Sequence, residues 1–117
     1  MNRFAYLALL PALLFGSASV EAHANLQSAS PAVGSTVGSP PAQVSLTFSQ
    51  NLERKFSRLE VRNAGGTRVD SGGVSVTGNT MRVGVKGLSP GAYTVHWRVL
   101  SVDTHTTEGS FTFRVGR

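Results

Sequence analysis

Gly91-Ala92-Tyr93-Thr94-Val95-His96-Trp97-Arg98-Val99-Leu100 is the stretch that decides the fold. Tyr93, Val95, Trp97 and Val99 alternate with Thr94, His96 and Arg98. Successive side chains of an extended chain point to opposite faces, so this pattern predicts a strand with one face on a core and one in water. Leu88-Ser89-Pro90-Gly91 leads into it. With Tyr93, that lead-in matches the tyrosine corner of immunoglobulin-like sandwiches, where the hydroxyl returns to the backbone just upstream. On this reading Tyr93 and Trp97 are packing residues, and His96 is an exposed strand histidine pointing away from the core.

The same alternation recurs on both sides. Val44, Leu46 and Phe48 form one stripe; Leu59 and Val61 another; Met81, Val83 and Val85 a third; Phe111, Phe113 and Val115 a fourth. Turn signals separate them at Gly38-Ser39-Pro40-Pro41, Asn63-Ala64-Gly65-Gly66, Ser71-Gly72-Gly73, Gly78-Asn79 and Ser89-Pro90-Gly91. No segment shows a helical period. About seven short strands with regular turns predict an all-β chain, an antiparallel two-sheet sandwich.

The amino-terminal segment has a different character. Met1-Asn2-Arg3 is a short positive start, and Phe4 to Phe15 is almost wholly apolar. As a helix that run rises about 18 Å, short of the ~30 Å bilayer core. Small residues Gly16 to Ser19 follow. This is the layout of a secretory signal peptide over residues 1–22, with the working domain at 23–117. Cleavage after Ala22 would leave His23 as the new amino terminus; Ala24 and Ala18 are rival sites. No other segment is long and apolar enough to span a membrane, so no transmembrane segment is expected in the mature chain.

Composition narrows the chemistry. The chain has 117 residues, which allows one domain, and no cysteine, which excludes disulfides, thiolate metal sites and blue-copper centres. The formal charge of +5 is dispersed, without a polybasic run, so no nucleic-acid partner is indicated. A solvated positive surface is the ordinary explanation, and weak attraction to anionic lipid or an acidic partner is the functional one.

Asp103-Thr104-His105 is the first candidate for chemistry. Residues two apart in an extended chain project to the same side, so carboxylate and imidazole can converge on one ion or bond to each other. Alone the triplet is a weak signal, better read as a loop Asp that orients a His or merely as a polar loop. His23 at a cleaved amino terminus adds two more nitrogens, its α-amine and ring Nδ1, and the amine loses its proton at modest cost near neutral pH. With His105 these make three nitrogens in a T, an arrangement that suits tetragonal Cu(II). Asp103 would then be a weak axial ligand or an acceptor orienting the histidine. A Ser–His–Asp triad drawn from Ser101 or Ser110 lacks the sharp nucleophile turn and an oxyanion hole.

The chain resembles the CopC family of copper-resistance proteins over nearly the whole of 23–117. The resemblance rests on His23-Ala24-Asn25-Leu26 with Ser30-Pro31-Ala32 and Gly34-Ser35, on Leu46-Thr47-Phe48-Ser49-Gln50-Asn51-Leu52, on Gly91 through His105, and on Gly109-Ser110-Phe111-Thr112-Phe113. It implies a cupredoxin-like Greek-key β-sandwich or barrel. It also implies one Cu(II) per chain held by His23, Asp103 and His105, and favours cleavage after Ala22. A periplasmic monomer is expected, acting as copper carrier or buffer beside a CopD-like inner-membrane protein, and not as an enzyme. The sequence departs from the family at Gln50, where many members carry Glu, so Gln50 is left out of the ligand set. Met81 alternates with core residues and Met1 leaves with the signal, which argues against a Cu(I) thioether site.

Two other functions compete. A small copper monooxygenase could use the same amine–imidazole brace, although a domain of this size offers little surface for a polymer. A metal-free immunoglobulin-like interaction module would follow if the mature chain began at Asn25.

Overall fold

A computed structural model describes residues 24–116. Eight strands run in chain order: β1 (Leu26–Ser30), β2 (Thr36–Val37), β3 (Gln43–Phe48), β4 (Arg58–Asn63), β5 (Asp70–Thr77), β6 (Thr80–Val85), β7 (Gly91–Leu100) and β8 (Thr106–Val115). One sheet has the order β1-β3-β6-β5 and the other β2-β8-β7-β4, so the chain crosses between sheets in Greek-key fashion. All pairings are antiparallel except the two-residue β2, which lies parallel to the end of β8. The only helical turn among the described residues is the 3₁₀ piece Arg54–Phe56. No helix there is long and apolar enough to cross a membrane.

The alternating stripes are the core, as the sequence predicts. Val44, Leu46 and Phe48 of β3 and Met81 of β6 meet Val95 and Val99 of β7, all fully buried. Phe48 and Trp97 join the two sheets edge to face, with ring centroids 5.0 Å apart and planes at 73°. Tyr93 and Phe113 stack at 5.5 Å within one sheet. The Tyr93 hydroxyl donates to the Ser89 carbonyl at 2.6 Å, which is the expected tyrosine corner. Gly109 stands opposite Trp97 in the β7–β8 ladder. A Cβ there would come within 2.7 Å of the Trp97 ring, so the indole occupies the space a side chain would take.

Two features differ from expectation. Ser71-Gly72-Gly73, predicted as a turn, lies inside β5, whose register against β6 shifts between Ser71 and Ser75. The glycines serve a bulge in an edge strand, and Gly72 takes a φ of +75° that suits one. The strand Leu26–Ser30 also carries no strong alternating signal; its pattern is half-buried Leu26 and Ala29 among exposed polar residues. It is an edge strand, held to β3 by backbone pairing more than by an apolar face.

Candidate metal site

Strands β7 and β8 are the longest hairpin of the fold, and their connection, residues 101–105, carries both Asp103 and His105. The two side chains do converge, by a different device from strand periodicity. Ser101 and Thr104 close a tight turn: the Ser101 N–H donates to the His105 carbonyl and the Thr104 N–H to the Ser101 carbonyl, both at 2.9 Å. Thr104 adopts a φ of +72°, the left-handed region that a β-branched residue rarely enters. Such strain persists where surrounding bonds over-determine it, and it is concentrated at functional sites.

Asp103 Oδ1 and His105 Nδ1 stand 3.3 Å apart, with both side chains nearly half exposed. Ser101 holds the carboxylate from below. Its hydroxyl is fully buried, donates to Asp103 Oδ1, and accepts the His105 N–H at 3.3 Å. The hydrogen bond from Ser101 is the main reason that the Asp103 carboxyl lies below the ordinary carboxylate range; partial desolvation opposes it, and the neighbouring His105 adds to it. Ser101 itself is unsuited to act as a nucleophile, because it is buried beneath the turn and committed to Asp103.

The loop is fixed to the rest of the domain on two sides. The Val102 N–H donates to the Asn51 carbonyl at 3.0 Å, and the Glu53 N–H to the Leu100 carbonyl at 2.8 Å. On the other side the first described residues arrive. Thr107, two residues past His105, donates its hydroxyl to the Ala24 carbonyl at 2.9 Å. Ala24 is fully buried. Asn25 exchanges hydrogen bonds with Ser49, its N–H to Ser49 Oγ and its carbonyl from the Ser49 N–H, each at 2.8 Å.

Of the predicted ligands, Asp103 and His105 are adjacent in space, and His23 lies outside the described residues. Among the described residues no group of three or more histidines, aspartates and glutamates is placed to hold a metal ion. His96 projects outward from β7, opposite Glu60 of β4 and Ser110 of β8. Met81 is fully buried, as its alternation predicts. The residues that sequence reasoning missed are Ser101, as support of the carboxylate, and Thr107, as anchor of the amino-terminal segment. Neither carries a local signal, since serine and threonine at strand ends are ordinary.

Comparison with known proteins gives the arrangement its context. Residues 26–116 match the CopC domain. The chain is 35% identical over 124 residues to copper resistance protein C of Pseudomonas syringae pv. tomato, covering 98% of each. It is 30% identical to the copper transport protein CutJ of Bacillus subtilis, matching 22% of that longer protein. The crystal structure of CopC from Methylosinus trichosporium OB3b superposes with a TM-score of 0.75 at 30% identity, over 80% of this chain and 94% of that one. PcoC of Escherichia coli, a methionine-rich copper resistance protein, superposes at 0.69 with 31% identity, over 80% and 98%. With its cupredoxin-like sandwich and a family match from β1 to the end of β8, the chain belongs to the CopC family.

Proposed function

We propose that this protein binds one Cu(II) ion in the periplasm and carries or buffers it, with copper as cargo and no bond made or broken in a substrate. The proposed ligands are the α-amine and ring nitrogen of His23, exposed by cleavage after Ala22, together with His105. Asp103 orients His105 by taking its Nδ1 side, so coordination by His105 runs through Nε2 on the far side of the ring. A neutral, nitrogen-rich set of this kind suits Cu(II) at tetragonal positions. A CopD-like membrane protein is the proposed exchange partner, and a monomer the proposed state.

One observation carries this reading. The Ala24 carbonyl accepts a hydrogen bond from the Thr107 hydroxyl, two residues past His105. That bond holds the first described residue beside the hairpin that carries Asp103 and His105, which supports a ligand drawn from the residue before it. The burial of Ala24 also favours the cut after Ala22, because a cut after Ala24 would remove a core residue. Copper relatives in the family support the choice of ion.

The test is to export the chain with its own leader, take the intact mass of the recovered protein, and titrate it with Cu(II) under EPR. A mass beginning at His23 and a nitrogen-rich tetragonal signal saturating at one equivalent are expected. A mass beginning at Asn25, or an ion bound without nitrogen hyperfine structure, refutes the ligand set.

A further inference from the structure

A second feature lies beside the metal loop and uses none of the proposed ligands. Lys55, Phe56, Arg58, Arg98, Leu100 and Thr106 line a concave pocket of about 240 Å³. Its cationic wall is unusual for a sheet surface. Arg58 of β4 and Arg98 of β7 are directly opposite each other in the ladder, and both are exposed. Like charges at directly opposed positions destabilise a strand pair. Glu108 of β8 partly offsets Arg98 at 3.7 Å. No carboxylate among the described residues forms an ion pair with Arg58 or Lys55, or with neighbouring Arg54.

The rest of the lining is apolar or neutral. Phe56 is 62% exposed, one of the few large apolar side chains turned to solvent among the described residues. Arginine and aromatic side chains around a concavity are the composition of protein-interface anchors. Guanidinium forks bind carboxylates with two parallel hydrogen bonds, and an incoming carboxylate would relieve the Arg58–Arg98 repulsion. The concave shape favours a protruding side chain over a flat bilayer. Thr106 is the neighbour of His105 in the chain, so whatever enters the pocket is held next to the 101–105 turn.

We propose that the Lys55–Arg58–Arg98 pocket docks a carboxylate-bearing segment of a second protein, holding that protein beside the metal loop. The assignment does not depend on the copper ligands. It is tested on the exported protein stripped of metal, with a fluorescent hexaglutamate peptide as probe and phosphatidylglycerol vesicles as the competing surface. Peptide binding should be saturable and weaken with added salt. The double substitution Lys55→Ala with Arg58→Ala should weaken it about fivefold or more, the effect of two partly exposed charge pairs. Arg114→Ala, at the far end of β8, should leave it unchanged. Amide shifts on peptide addition should cluster at residues 55–58, 98–100 and 106. Absence of saturable binding, equal weakening by Arg114→Ala, shifts spread over the basic surface, or preference for the vesicles would each overturn the proposal.

Discussion

Asp70 and Asp103 are the two aspartates of the chain, and both have carboxyl groups held below the ordinary range. Their surroundings differ. Asp70 opens β5 with its side chain only 5% exposed. Burial there works against the charge, but it is outweighed by hydrogen bonds from Arg68 and the Val61 N–H and by the Arg68 charge. Asp103 sits on a turn with 43% of its side chain exposed, bonded to a buried serine below and facing a histidine above. The first carboxylate closes a structural network. The second is supported from behind and keeps an open side. A lowered pKa therefore does not separate the two carboxylates; exposure does, at 5% for the Asp70 side chain against 43% for that of Asp103.

Removing the partner on the open side should have the largest effect. His105→Ala is expected to weaken Cu(II) binding by at least about 100-fold, since it deletes a proposed ligand and leaves only the amino-terminal chelate. Thermal stability of the metal-free protein should stay near wild type. Equal affinity in a competition titration would remove Asp103 and His105 from the site. Asp103→Asn should cost about tenfold in the same assay, the usual penalty for losing the group that orients a ligating histidine. A loss as large as that of His105→Ala would instead make Asp103 a direct ligand.

The structural carboxylate should respond in the opposite way. Asp70→Ala leaves the Val61 N–H without its partner and is expected to lower stability by about 2 kcal/mol in urea unfolding, with Cu(II) affinity unchanged. The smallest expected effect concerns acid. Because the folded Asp70 carboxyl is below its unfolded value, its contribution is present above about pH 4 and is lost as pH falls through the folded value. Asp70→Asn should therefore show a shallower acid limb in a pH series of melts. An acid limb identical to wild type would mean that other carboxylates govern acid unfolding.

How far the sequence reveals these two regions follows from how each is built. The core strands were legible because burial imposes period two on Val44 to Phe48 and on Tyr93 to Val99. β1 and β5 were not, because edge strands carry little apolar alternation and Gly72-Gly73 can serve a bulge as well as a turn. The Asp-x-His triplet stands out by residue type, and its spacing allows the two side chains to converge. The means, a left-handed Thr104 over a buried Ser101, is not legible, since conformation at a single residue leaves no periodic trace. The Thr107–Ala24 contact joins residues 83 apart in sequence, a distance at which spacing says nothing.

That last contact has a topological consequence. The domain has no cysteine and hence no covalent staple. Thr107 holds the first described residues against the final hairpin, so the segment between them takes in most of the described strands. Under the proposed ligand set, an ion held by both His23 and His105 closes that loop as a cross-link does. It stabilises the native state in proportion to the logarithm of its concentration over its dissociation constant. Copper would be cargo and reversible clasp at once, and a protein that has handed over its ion would have an amino-terminal strand easier to peel away.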